Sequence, residues 1–258
     1  MRHVLHAEWT KLRTLPTAAC LLVATVVATI GLSAAVASAQ NPTNTGTSLD
    51  ATKTSLIGVD VGQAVVAVLA VLLMSSEYGC GLIGVTLVAT PRRYLVLLSK
   101  ALFAAVLSLA AGAFAVLGSV LIGGSILNTK GLTAAHGYEI TSLANATNLR
   151  AAGGTVLYMA LIALLSLGVA TVVREPVPAI GVVLGLLYVF PLLGAIVTDP
   201  TWSRRFQQVG PMSAGLAIEA TRNLKGLPLS PWTGLGVLAA WALGVLVLGG
   251  LLFGYRDV

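Results

Sequence analysis

Apolar residues in this chain fall into six long, almost uncharged runs separated by shorter polar stretches. The runs cover 18–39, 56–76, 101–127, 151–173, 177–198 and 233–253. Each is close to the roughly 20 apolar residues that a helix needs to cross a hydrocarbon core about 30 Å thick. Lipid offers no partners to exposed backbone N–H and C=O groups, so runs of this length predict helices. The strands of a membrane barrel would alternate in polarity over about ten residues, and no such alternation is present. The pattern predicts an all-α polytopic membrane protein, with six transmembrane helices forming a single transmembrane domain over 1–258.

The stretches between the runs carry their own patterns. In 1–17, Val4, Leu5, Trp9, Leu12 and Leu15 recur at helical spacing beside Arg2, Lys11 and Arg13. An interfacial helix with Trp9 at headgroup level accounts for this, and Pro16 turns the chain into the bilayer. A basic start, an apolar run and Ala37-Ser38-Ala39 also resemble a cleavable signal peptide. The run exceeds the usual 7–15 residues and further spans follow, which favours a retained span. Residues 40–55 read as a polar loop, and Asp60 falls in the first turn of the second span. An acid there is favoured by the helix N-terminus; the alternative is a contact on a substrate or proton pathway. Arg174-Glu175-Pro176 reads as a tight connection, and Pro191 is predicted to kink the fifth span. The segment 199–231 holds Pro200, Pro211, Pro228 and Pro231. Within it Met212 to Leu224 predicts one short helix, re-entrant or interfacial, and Trp232 marks the entry to the last span.

The stretch 77–100, EYGCGLIGVTLVATPRRYLVLLSK, differs from all of these. Its apolar middle, Leu82 to Ala89, covers only about 12 Å as a helix and cannot span. Gly79, Gly81 and Gly84 loosen the backbone, and Pro91 stops any helix before Arg92, Arg93 and Lys100. The segment must lie on the membrane surface or dock into something.

Composition narrows the function. Only 9% of residues are charged and 57% are hydrophobic, against about 25% charged in soluble domains. The mean hydropathy is +0.92. The net charge of +6 is carried by cations flanking the spans, as topology signals are, so nucleic acid is not a partner. Arg2, Lys11, Arg13, Arg92, Arg93, Lys100, Arg174 and Arg256 outnumber Lys53, Lys130 and Arg150, which puts both termini inside. Arg204, Arg205, Arg222 and Lys225 in the last outer loop run against that rule. Cys20 and Cys80 form no disulfide framework, and His3, His6 and His136 have no metal-ligand spacing. No phosphate-binding Gly-x-x-x-x-Gly-Lys-Ser/Thr, no His-Glu-x-x-His and no Gly-x-Ser-x-Gly occurs. Mid-membrane carboxylates are scarce, which argues against ion coupling, so energy, if used, must come from another chain. Gly58-x-x-x-Gly62, Gly181-x-x-x-Gly185 and Gly250-x-x-x-Gly254 permit close helix contacts, a weak signal in a chain with 28 glycines.

Three stretches carry a resemblance. The opening His6-Ala7-Glu8-Trp9-Thr10-Lys11-Leu12-Arg13, the loop with Glu77, Tyr78, Gly81, Thr86, Leu87, Pro91, Arg92, Arg93 and Lys100, and the ending from Trp232 through Tyr255-Arg256-Asp257-Val258 are similar to those of bacterial ABC type 2 permeases. Gly79-Cys80 departs from the polar residues frequent there. The resemblance implies a non-enzymatic membrane subunit in a bacterial cytoplasmic membrane, exporting a hydrophobic or amphipathic small molecule. It implies two copies of a separate ATPase, which would hold ATP and magnesium, and a second permease copy; this chain would bind no cofactor. The 77–100 loop would be the coupling helix, 1–17 would lie along the inner surface, and 199–231 would be re-entrant on the outer side. The alternatives are an autonomous secondary transporter or channel, and a non-transporting membrane sensor or immunity protein.

Overall fold

The computed structural model describes residues 16–40, 50–79, 93–130 and 145–255. Six helices there are long and apolar enough to cross a membrane, and no strand occurs among the described residues. In chain order the helices are α1 (Pro16–Ala39), α2 (Ala51–Leu56), α3 (Val59–Gly79), α4 (Arg93–Thr129) and α5 (Ala146–Val173). They continue with α6 (Pro176–Ile196), α7 (Pro200–Val209), α8 (Pro211–Gly215) and α9 (Pro231–Tyr255). Two 3-10 turns, Leu216–Glu219 and Leu224–Gly226, lie between α8 and α9.

The centre of the bundle is α5. It packs against α3, α4, α6 and α9, while α1 covers the far side of α3 and α4. Leu and lipid are equally apolar, so burial alone does not hold membrane helices together; close backbone approach does. Thr25, Thr29, Ser33 and Ala37 form a buried stripe of small residues along α1. Thr25 and Thr29 donate to carbonyls one turn back in their own helix, so these hydroxyls are satisfied before the helix packs. Against this stripe sit Gly58 and Gly62. A Cβ at Gly58 would lie 1.9 Å from the Thr29 carbonyl oxygen, and one at Gly62 2.0 Å from Thr29 Oγ1. The opposite seam joins α5 to α9, where a Cβ at Gly168 would meet the Leu246 nitrogen at 3.0 Å. Of the three glycine pairs in the sequence, Gly58/Gly62 makes such a contact, whereas Gly181 and Gly185 face open space. Gly250 has only the Leu97 side chain nearby, at 3.4 Å.

Several boundaries differ from the predicted ones. The second span begins at Asp50, the N-cap of α2, and is broken at Ile57–Gly58, where the Gly58 N–H donates to Ser33 Oγ at 3.0 Å. The third span begins at Arg93, eight residues before the predicted Ala101, because Tyr94 to Leu98 continues the apolar helical pattern once Pro91 is passed. Lys100 is therefore no loop cation. It is helical, 3% exposed, and its Nζ donates to the Leu73 carbonyl of α3 at 3.0 Å. At 37 residues α4 is about 55 Å long and outruns the membrane core. Arg174 closes α5 in the left-handed region (φ 68°) with its N–H on the Ala170 carbonyl, and Pro176 starts α6 two residues later. The helix α6 runs unbroken through Pro191.

The single short helix predicted over Met212–Leu224 is instead α8 and two 3-10 turns. Ala220 is extended and Asn223 is left-handed, so the helix cannot propagate. A further helix, α7, precedes them, capped by Asp199, whose Oδ1 accepts the Thr201 N–H at 2.8 Å.

Helix direction fixes the two ends of the bundle. The start of α4 meets the end of α9 through Leu97 and Gly250, while the end of α4 meets the end of α1 through Lys130, which donates to the Ser38 and Gln40 carbonyls. The start of α1 and the end of α9 thus share one end of the bundle with the α3–α4 connection. The start of α2, the start of α5 and α7–α8 occupy the other.

Candidate functional site: a polar lock where the 199–231 segment enters the bundle

Asp50 is the anchor. Its Oδ1 accepts the Lys53 N–H at 3.0 Å, which caps α2, and the Thr221 hydroxyl at 2.6 Å. Its Oδ2 accepts the backbone N–H groups of Thr221 at 2.7 Å and Arg222 at 3.1 Å. One carboxylate therefore caps a helix and holds the Thr221–Arg222 backbone, distant in sequence. Bonds to a charged acceptor are roughly twice as strong as neutral ones. Arg150, near the start of α5, adds a bond from Nη2 to the Ala220 carbonyl at 2.6 Å. Thr52 donates to Asn148 Oδ1 at 3.1 Å, joining α2 to α5 beside it.

Below this anchor the segment dips into the bundle. A Cβ at Gly154 would lie 2.1 Å from Ile218 Cγ1, and one at Gly215 would lie 2.5 Å from the Tyr158 ring. Thr155 stands about 14 Å along α5 from Ala146, so the segment is re-entrant in geometry. Glu219 goes in with it and is 3% exposed. Its Oε1 is 3.4 Å from Thr155 Oγ1. Burial pushes the Glu219 carboxyl well above the ordinary glutamate range, and the Asp60 charge pushes it the same way.

The first turn of α3 completes the cluster. The Asp60 carbonyl accepts from Gln63 Nε2 at 3.1 Å and from the Tyr188 hydroxyl of α6. The hydroxyl of Tyr158, which is fully buried, donates to Gln63 Oε1. Helices α3, α5 and α6 thus meet through Gln63, Tyr158, Tyr188 and the Asp60 carbonyl, and the re-entrant segment packs on Tyr158 and sets Glu219 beside Thr155. Beside the anchor a cavity of about 140 Å³ is lined by Lys53, Gln207, Ser213, Leu216, Ala217 and Pro228 among others.

Chemically this is a hydrogen-bonded lock. Among the described residues no group of three or more His, Cys, Asp or Glu could hold a metal ion. Its parts tie the 216–222 backbone to α2 and α5, and Tyr158 of α5 carries the link on to Gln63 of α3.

Of the residues singled out in the sequence, Asp60 lies in this cluster. Glu77 and Tyr78 fall in the last turn of α3, about 25 Å from Asp60 along the helix, and Arg93 opens α4. The remaining loop residues Gly81, Thr86, Leu87, Pro91 and Arg92, and Trp9, Lys11 and Arg13 of the interfacial helix, lie outside the described residues. Sequence reading passed over Asp50, Arg150, Tyr158 and Glu219. Asp50 followed by Ala-Thr-Lys had an N-cap signal. Glu219 had no signal beyond being an acid in an apolar pentad.

Comparison with known protein families finds no family model that matches the chain, and no curated protein matches it.

Proposed function

We propose that this multi-pass membrane protein is the permease subunit of an ATP-driven exporter of the ABC type 2 class. It would sit in a bacterial cytoplasmic membrane with both termini cytoplasmic. The observation that carries the reading is the Lys100–Leu73 bond. It ties α3 to α4 directly behind their connection, at the end of the bundle that also holds the start of α1 and the end of α9. A partner pressing on the connection would move both helices together. At its other end α3 carries Asp60 and Gln63, which contact Tyr188 and Tyr158, so that motion would reach the re-entrant lock. Work done at one face would open or close the other.

Two copies of a cytoplasmic ATPase would supply that work, holding ATP and magnesium, and a second permease copy would complete the pathway. This chain would carry no catalytic group. The exported molecule would be small and hydrophobic or amphipathic, matching the absence of large polar segments in the sequence. A second reading, an autonomous secondary transporter or channel, draws on one observation: a carboxylic side chain, Glu219, is buried in the re-entrant segment beside Thr155.

The deciding experiment is a mild-detergent pull-down of tagged full-length protein from its host, with mass spectrometry of its companions. A stoichiometric P-loop ATPase, lost when Arg92→Glu and Arg93→Glu are combined, supports the exporter. A folded homo-oligomer without an ATPase overturns it in favour of an autonomous transporter or a membrane sensor.

A further inference from the structure

The helix α7 has no buried residue, although it lies between two membrane spans. Trp202 is 52% exposed, and Arg204 and Arg205 are exposed beside it. The Arg205 guanidinium stacks over the Trp202 ring at 5.2 Å from its centroid. A cation held on an indole at a helix surface matches the headgroup level of a bilayer, where aromatic rings sit and basic residues meet phosphate.

One turn further along α7, Gln208 and Val209 border an apolar groove of about 450 Å³ on α9. Spacing of four places Arg204 with Gln208, and Arg205 with Val209, on one face of α7. The groove runs down Val237, Trp241, Gly244 and Leu248, a single face of α9. Trp241 is fixed as its wall by the Nε1 bond to the Val209 carbonyl at 2.9 Å. Gly244 leaves the floor open: a Cβ there would meet nothing within 4 Å. Val237 to Leu248 spans about 16 Å of helix, close to the roughly 15 Å depth of one leaflet of hydrocarbon.

A basic, aromatic cap above an apolar groove one leaflet deep has the dimensions of a phospholipid. We propose that α7 and this face of α9 form a binding site for one anionic phospholipid. Its phosphate lies against Arg204 and Arg205, and one acyl chain runs down the groove past Gly244. The inference stands on the membrane reading alone and does not depend on the exporter reading.

The test uses full-length protein exchanged into nanodiscs of phosphatidylcholine with one-fifth phosphatidylglycerol, then released for native mass spectrometry. Wild type is expected to retain phosphatidylglycerol in preference to phosphatidylcholine. Combining Arg204→Gln with Arg205→Gln should lower that retention roughly fivefold per arginine. The pair Arg204→Lys, Arg205→Lys, which keeps the charge, should restore most of it. Gly244→Leu builds into the groove from a position where a Cβ meets no neighbour, and should reduce retention of both lipids. Equal retention of the two lipids by wild type overturns the proposal, as does a Gly244→Leu protein that eluted normally and kept its lipid.

Discussion

Replacing Asp50 should release the re-entrant segment while leaving the spans in place. In Asp50→Ala the α2 cap is lost, at about 1 kcal/mol. The Thr221 hydroxyl and the N–H groups of Thr221 and Arg222 also lose a charged acceptor. Bonds to charged groups contribute about 1.5–3 kcal/mol each when buried. These are part-buried and water can replace some of them, so about 1 kcal/mol apiece is the better figure, giving a loss of about 3–4 kcal/mol in all. Asp50→Asn separates the two roles. Its carbonyl oxygen can still cap α2, but its amide would face the Thr221 and Arg222 N–H groups, donor against donor. The assay is thermal unfolding in micelles together with hydrogen exchange over 216–226. Both variants should show faster exchange there, and Asp50→Ala the lower midpoint. If both variants matched wild type in midpoint and in exchange, the lock would not be what holds the segment.

Gly58→Ala should destabilise the bundle by about 2 kcal/mol or more, because its Cβ falls on the Thr29 carbonyl; Gly181→Ala, facing open space, should be neutral or gain up to about 1 kcal/mol of helix propensity, both read from thermal midpoints. Glu219 has its folded-state titration raised by burial, so the folded protein favours the neutral acid. The stability this confers is present at low pH and is lost as pH rises through the folded-state value. Wild type should therefore lose midpoint above the ordinary glutamate range, and Glu219→Gln should flatten that loss. Lys100→Met should keep the midpoint within about 1 kcal/mol, since an apolar side chain suits the site, yet reduce transport in vesicles if the α3–α4 tie passes on motion.

Hydropathy made the six spans legible because the bilayer imposes length and helix on each run independently of its neighbours. It placed the break after Arg174 well, since Pro176 both ends one helix and starts another. It misplaced the start of α4, because Arg93 and Lys100 look like loop residues to a charge count, although a lysine can reach a neighbouring helix carbonyl from inside a span. It read the Met212–Leu224 pattern as one helix because periodicity does not register the left-handed Asn223. The amphipathic helix α7 was legible in the Asp199-Pro200 cap and in Trp202, Phe206 and Val209, but the excess of charge drew the reading toward a loop. The lock was not legible. Asp50, Glu219 and Arg150 are far apart in sequence, and each alone reads as an ordinary polar residue near a membrane edge.

The length of α4 has a mechanical consequence. No proline interrupts its 37 residues and its helix is continuous from Arg93 to Thr129, so it can tilt as a unit. A tilt of about 10° about its midpoint would carry each end of a rod of about 55 Å sideways by about 5 Å, in opposite directions. That displacement is about half the spacing of packed helices. A lever of this length converts a small rotation at one membrane face into a step large enough to unseat a side chain at the other, with no backbone hydrogen bond broken along the way.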